Sequence, residues 1–268
     1  MSYLIEYNLI NTHEGVKYDM EIITLSKDNL ESEHICCAVS DNKDCQVSSK
    51  KQWISNRLED GLVFKKCNVR GKCFIEYIPA ENAWAPIAAD GYMYINCFWV
   101  SGRWKGQGFS SLLLDECMKD SMEKEKLGLV ILSSSKKRPF LSDSNFLKHK
   151  GFALADTADP YFELYYYPLK ENFAIPHFKD HVKLPQIEEQ GFVLYYTNQC
   201  PYTAKYVPLI ENIANQNGVK FQSIHFKTME QAQNAPAPFT TYSLFYNGSF
   251  VTNEILSEKK FEQLLKNL

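Results

Sequence analysis

Three prolines, Pro168, Pro176 and Pro185, fall within 18 residues of the stretch PLKENFAIPHFKDHVKLPQ. Each fixes its φ angle and lacks a backbone donor, so no single helix or central strand can run through this stretch. The chain must therefore build its structure on either side of it. At 268 residues it is long enough for two modest units. We place an N-terminal arm at 1–19, a first domain at 20–168, a linker at 169–184 and a smaller domain at 185–268. Composition excludes several classes. Lys and Arg number 29 against 32 Asp and Glu, giving a net charge of −3 and no basic footprint for nucleic acid. No apolar run approaches the ~20 residues that span a bilayer. Met1 to Asn8 contains Glu6 and lacks the basic-then-apolar order of a signal peptide, so a cytoplasmic protein is expected. The eight cysteines include no pair of CxxC motifs, which argues against structural zinc and for free thiols, several buried as small hydrophobes.

The first part alternates between the two periodicities. Glu21–Leu25 reads as a strand and Asn29–Val39 as a short helix. Ser48–Glu59 reads as a helix with Lys50, Lys51, Asn56 and Arg57 outside. Gly61–Asn68 and Lys72–Ile78 read as an antiparallel pair turning at Arg70-Gly71. Tyr92–Val100 is an apolar, aromatic central strand. Phe109–Lys126 carries Leu112, Leu113, Cys117 and Met118 at helical spacing. Leu127–Leu132 is a strand, Asp143–Lys150 a short helix closing at Gly151, and Tyr161–Tyr167 a final strand. The expected fold class is α+β: a mixed, largely antiparallel sheet flanked by helices, followed by a smaller α/β domain.

Between the central strand and the long helix stands Val100-Ser101-Gly102-Arg103-Trp104-Lys105-Gly106-Gln107-Gly108-Phe109-Ser110. Glycines tolerate positive φ and let a ligand approach the backbone. The free N–H groups and dipole of a helix N-terminus favour an anion, so a pyrophosphate is the natural guest. The P-loop pattern GxxxxGK[ST] is absent, and GxGxxG lacks its third glycine.

Arg103-Trp104-Lys105-Gly106-Gln107-Gly108 fits [Q/R]xxGxG and resembles the signature of the GCN5-related N-acetyltransferase (GNAT) family. So does the order of elements around it, through to the helix ending Lys148-His149-Lys150-Gly151-Phe152. The resemblance implies acetyl-CoA as co-substrate, with its pyrophosphate on the backbone of Arg103, Trp104, Lys105, Gly106, Gln107, Gly108, Phe109 and Ser110. Its pantetheine arm would lie along Phe98, Trp99 and Val100, and a backbone N–H near Val100 would hold the oxyanion. Lys136, Lys137 or Arg138 meets the 3′-phosphate or is a solvated charge run. The acceptor implied is the amine of a small molecule, attacking the thioester directly. The tyrosine that many members place in the short helix is here Leu147, so the acid is another group or water. Glu76 and Cys97, with Asp90 beside them, are candidates for the base; the alternatives are a solvated strand carboxylate and a packed thiol. Cys36 and Cys37 stand where the family builds its acceptor pocket. Adjacent helical side chains diverge by about 100°, so the two do not share a metal, and no metal site is expected.

From Gly191 a second pattern begins: strand Phe192–Tyr196, then Cys200-Pro201-Tyr202-Thr203 opening a helix, strand Val219–Phe226, a hairpin at Asn247-Gly248 and a closing helix capped by Ser257. It resembles the thioredoxin/glutaredoxin fold, with Pro236 or Pro238 as that fold's cis-proline. Cysteine at a helix N-terminus should have a lowered pKa. Thr203 replaces the second cysteine, leaving Cys200 a single-thiol role or a vestigial one. That thiol chemistry is the alternative function. The two parts together resemble the bacterial YoaP-type acetyltransferases, carried by Tyr94-Ile95-Asn96-Cys97-Phe98-Trp99-Val100, Cys36-Cys37-Ala38-Val39-Ser40, Phe74-Ile75-Glu76-Tyr77-Ile78-Pro79-Ala80 and Pro160-Tyr161-Phe162-Glu163-Leu164. The resemblance implies an acyltransferase.

Overall fold

The computed structural model describes residues 20–35, 37, 44–171 and 173–267. The expected arm and Cys36 lie outside them. In chain order the elements are β1 (Ile22–Thr24), α1 (Cys45–Ser55), β2 (Val63–Cys67), β3 (Cys73–Pro79), β4 (Ile87–Ala88), β5 (Met93–Val100), α2 (Phe109–Glu123), β6 (Gly128–Ser134), β7 (Ser142–Asp143), α3 (Ser144–His149), β8 (Ala153–Ala158) and β9 (Phe162–Pro168). There follow β10 (His177–Phe178), β11 (Phe192–Tyr196), α4 (Pro201–Gln216), β12 (Phe221–His225), α5 (Met229–Gln233), β13 (Tyr242–Tyr246), β14 (Ser249–Thr252) and α6 (Glu258–Leu265).

The larger sheet runs β1-β2-β3-β5-β6-β9-β8, with β7 on β6. Only β5–β6 and β6–β7 are parallel. Successive strand residues point to opposite faces, so the sheet has two cores. Met93, Ile95, Ile131 and Tyr165 face α2 and α3, meeting Leu113, Cys117 and Leu147. Phe74, Tyr94, Leu132 and Leu164 face the other way. That second core continues without a break into Phe192, Leu194 and Leu244 of the smaller sheet and Val207 of α4. The smaller sheet runs β12-β11-β13-β14, with β11 parallel to β12 and antiparallel to β13. The proline-rich stretch lies against the larger unit: β10 pairs with β4, and Lys179 N–H bonds the Pro86 carbonyl.

Local signals explain the element ends. Asp44 caps α1 by accepting from Gln46 N–H at 2.8 Å, and Asp143 caps α3 by accepting from Asn145 N–H at 2.9 Å. After α3, Gly151 has φ +85°, and its N–H and that of Phe152 close on the Lys148 and Leu147 carbonyls, both at 3.0 Å. That is the double-bonded glycine stop the sequence suggests. Asn247 and Gly248, both at positive φ, join β13 to β14.

Four expectations are corrected. The described part of Asn29–Val39 is turn and a bridge at Ile35, not helix, because Asn29 spends its side chain on Ser26 N–H and the Thr24 carbonyl. Ser257 precedes α6 but makes no side-chain cap bond. The cis peptide among the described residues precedes Pro160, not Pro236 or Pro238. Lys50, Lys51 and Arg57 are buried rather than outside. Their partners explain this: a carboxylate for Lys50, the Glu31 carbonyl for Lys51, and the Trp53 and Trp84 rings for Arg57, at 3.3 and 3.9 Å.

Candidate active site

The site begins where two parallel strands part. β5 pairs with β6 at Met93, Tyr94 and Ile95. Beyond Ile95 it stays with β3 alone, as far as Val100. The cause is a bulge: Glu76 faces Cys97 and Tyr77 faces Ile95, which leaves Asn96 as the extra residue. A bulge bends its strand and increases the twist. It opens a wedge between β5 and β6 and leaves backbone polar groups there for another partner.

At the mouth of the wedge the chain turns through Ser101–Gly108. Ser101 N–H bonds the Lys72 carbonyl at 2.9 Å, and Gly102–Trp104 make one tight turn. Gly106 and Gly108 have φ of +73° and +80°, a region where a side chain is strained. A Cβ on Gly106 would meet nothing within 4 Å, so the cradle is open in front of it. Gly108 caps α2 without a side chain, so the cap position itself supplies no side-chain oxygen to the first-turn amides. Their dipole and N–H groups face the opening, the arrangement that holds phosphate. An adjoining open groove of ≈ 330 Å³ is lined by Arg70, Lys72 and Arg103, cations suited to an anionic ligand. Arg103 lies over the Trp104 ring at 4.4 Å, and Trp104 packs on Phe109.

Inside the wedge is a cavity of ≈ 370 Å³. Tyr94, Asn96, Cys97, Phe98 and Trp99 of β5 line one side, and Leu132 and the 138–142 segment another. Gln199, Cys200, Pro201, Tyr202, Phe239 and Thr241 of the second unit close it. Phe98 and Trp99 thus reach the cavity. Val100 pairs with Cys73 at its edge, and the residues Arg103 to Ser110 form the turn outside it.

A buried ion pair sits beside this cavity. The Lys50 ammonium meets Glu76 Oε2, and the two side chains are 1% and 0% exposed. Glu76 Oε1 also accepts from Trp53 Nε1 at 3.3 Å and Asn96 Nδ2 at 3.2 Å. Burial pulls the Lys50 pKa down, but the adjacent carboxylate outweighs it and the net shift is upward. Lys50 donates as well to the Gln199 carbonyl at 2.6 Å.

Three thiols converge here: Cys37, Cys97 and Cys200 all line the cavity. Burial, reinforced by the Glu76 carboxylate, pushes Cys97 up to about 12. Burial raises Cys37 well above its ordinary value and pushes Cys200 up to about 11. The lowered pKa expected of Cys200 at the start of α4 is therefore overturned. The Tyr202 N–H, Lys50 and Lys72 favour the thiolate, but desolvation outweighs them. Thr203, at the place of a second cysteine, is buried and bonded to the Thr197 carbonyl at 2.9 Å. On balance the burial of Cys200 and the loss of the second cysteine weigh against thiol chemistry.

Leu147 is packed in the core beneath α3. Asp90 is exposed and does not line the cavity. Arg138 does, with its guanidinium 3.6 Å from the Tyr161 ring. The residues missed by sequence reasoning are Lys50, Asn96, Gln199 and Tyr202. No local signal marked them, since their roles depend on a bulge, on a strand carboxylate 26 positions from Lys50 and on contacts more than 100 residues apart.

Comparison with known proteins follows the same outline. The family model described as YoaP-like matches residues 220–263. The uncharacterised N-acetyltransferase YoaP of Bacillus subtilis (strain 168) is 44% identical over 247 residues, 92% of this chain and 98% of that protein. Among solved structures, ribosomal-protein-alanine N-acetyltransferase from Brucella melitensis is 15% identical, covering 56% of this chain and 99% of that one with a TM-score of 0.40. An acetyltransferase of the GNAT family from Staphylococcus aureus Mu50 is 18% identical, with 56% and 99% covered and a TM-score of 0.39.

Proposed function

This chain belongs to the family of the Bacillus subtilis N-acetyltransferase YoaP, and on that premise we propose that it transfers the acetyl group of acetyl-CoA to the amine of a small molecule. The observation that carries this reading is the open glycine cradle at the start of α2, set at the mouth of the β5–β6 wedge. The α2 amides and the Arg103–Gly108 backbone hold the pyrophosphate, and Arg70, Lys72 and Arg103 add charge to the approach. The pantetheine arm lies in the wedge along Phe98, Trp99 and Val100. A backbone N–H of the parted stretch of β5 stabilises the oxyanion as the amine attacks the thioester carbon. The C–S bond then breaks, the amine nitrogen gives up a proton, and CoA leaves as the thiol after its sulfur takes up that proton, directly or through water. Much of the rate comes from holding the two reactants together in one small cavity.

Glu76 acts here as a positioning residue. Its carboxylate is occupied by Lys50, Trp53 and Asn96, so it sets the bulge that opens the wedge. Cys97, with its raised pKa, serves as a wall. The smaller sheet, with its β11–α4–β12 and β13–β14–α6 order, supports a thioredoxin-like reading of that unit, used for packing and closure rather than exchange.

Thermal unfolding with and without acetyl-CoA tests the function. A ligand at 100 times its dissociation constant adds about 2.7 kcal/mol, or about 5–11 °C for a chain of this size. Gly106→Val places its side chain in open space, so it should keep the fold, at a cost of about 1–3 kcal/mol for the strained φ, and lose the shift. No shift in the wild type at millimolar acetyl-CoA, or a shift undiminished in Gly106→Val, refutes the assignment.

A further inference from the structure

We propose that the start of α4 is the far wall of the acceptor pocket, and that this pocket selects a small amine whose body is apolar and which carries a carboxylate. The proposal rests on the acetyltransferase reading above and adds the acceptor class.

The wall is built, not merely adjacent. Gln199 Nε2 donates to the Asn96 carbonyl at 3.1 Å, at the residue where β5 leaves β6. The Gln199 carbonyl in turn accepts from Lys50, which is itself held by Glu76. Lys72 lies 3.8 Å from the Trp99 ring and donates to the Tyr202 hydroxyl at 3.1 Å. Each bond joins the larger unit to the smaller, and the first two meet at a buried ion pair. A buried charge tolerates little displacement of its partners, because losing one costs its full desolvation. The segment is therefore fixed in place, and Tyr202 and Trp99, both held against Lys72, line the cavity together.

Size and charge then narrow the acceptor. A cavity of ≈ 370 Å³ closed on one side by the second unit is of small-ligand size, and the pantetheine arm takes part of it, so the space left suits a small acceptor. Its rings, Trp99, Phe140 and Tyr202, suit a flat apolar body. Its lining holds two cations, Lys50 and Arg138, and no carboxylate among the described residues. Lys50 is balanced by Glu76, whereas Arg138, exposed at the rim of the cavity, has no acidic partner among the described residues. Arg138 is held in place through the second unit. It stacks on Tyr161, whose hydroxyl bonds Asn253 Oδ1 at 2.8 Å, and Asn253 Nδ2 bonds the Pro139 carbonyl at 3.0 Å. With Lys50 neutralised by Glu76, the charge left over in the lining is that of Arg138, which offers a simple amine no partner. An amine that brings a carboxylate meets the guanidinium, which pairs with it in a planar, bidentate way, and because Arg138 is exposed at the rim such a pair discriminates by about two- to fivefold.

The test uses the full-length protein and two probes with the same ring, L-phenylalanine and 2-phenylethylamine, with the N-acetyl product measured by mass spectrometry. Phenylalanine should show a kcat/KM about two- to fivefold higher, and Arg138→Gln should bring the two level. Tyr202→Ala should raise the phenylalanine KM about tenfold while leaving the acetyl-CoA thermal shift unchanged. Tyr202→Phe, which keeps the ring, should restore the KM. Equal use of the two probes, or preference for phenylethylamine, overturns the carboxylate assignment. An unchanged acceptor KM in Tyr202→Ala overturns the wall. Turnover of neither probe, with the acetyl-CoA shift intact, overturns this inference alone, and loss of that shift overturns the reading beneath it.

Discussion

Replacing Lys50 by Met should destabilise the protein by about 3–5 kcal/mol, the cost of leaving one charge of a buried pair uncompensated. The structure explains why the upper range is in reach. Lys50 and Glu76 are 1% and 0% exposed, so water cannot solvate the carboxylate that remains. Trp53 Nε1 and Asn96 Nδ2, at 3.3 and 3.2 Å, are neutral donors that cannot replace the ammonium. The Gln199 carbonyl loses its 2.6 Å donor in the same step. Methionine fills the same volume, so a cavity does not confuse the result. For a chain of this length the loss corresponds to a midpoint about 6–20 °C lower. Urea unfolding followed by tryptophan fluorescence is well placed to read it, since Trp53 and Trp84 pack edge-to-face beside the pair at 5.0 Å. The double change Lys50→Met, Glu76→Leu should recover most of the loss, because two apolar groups replace two charges. A loss below about 1 kcal/mol in the single variant would mean the pair behaves as a solvated surface bridge, and the account of a rigid wall would fail with it.

Cys200, pushed up to about 11 from an ordinary 9.0, should be alkylated by iodoacetamide at neutral pH about 100-fold more slowly than an ordinary thiol, with the rate still rising between pH 9 and 11. Peptide mapping reads this, and modification at the ordinary rate would revive single-thiol chemistry. His225, stacked on Tyr196 at 4.5 Å, has its pKa lowered to about 4, by burial first and then by Lys227. The fold favours its neutral form, so stability should fall as pH drops from about 6.5 towards 4. His225→Gln should flatten that slope, and an unchanged slope would refute the assignment. Arg57 lies on the Trp53 and Trp84 rings and donates to the Trp53 carbonyl at 3.0 Å. Arg57→Lys should destabilise by about 1–3 kcal/mol, because an ammonium cannot reproduce a flat guanidinium stacked on rings; a midpoint equal to wild type would contradict this.

Much of the architecture was legible because its causes are local. The β2–β3 hairpin, α2, the Asn247-Gly248 turn and the Gly151 stop each follow from residues within a few positions of one another. Asn29–Val39 misled because helical spacing was read without the side-chain bonds of Asn29, which favour turns. Lys50, Lys51 and Arg57 misled for a different reason. Charge alone predicts exposure, and only a partner from a distant strand, loop or ring reverses it.

The chemistry of the cavity divides along the same line. The glycine cradle could be found in the sequence, since positive φ and a helix start are properties of a few consecutive residues. The bulge at Asn96, the ion pair beneath it and the closure by Gln199–Tyr202 could not. Lys50 and Gln199 are 149 positions apart, and no local rule brings them together. What the sequence by itself determined was where backbone could bend, cap and alternate. What only the tertiary structure decided was which charges left water and which thiols lost their acidity, because desolvation depends on everything that surrounds a group and not on its neighbours along the chain.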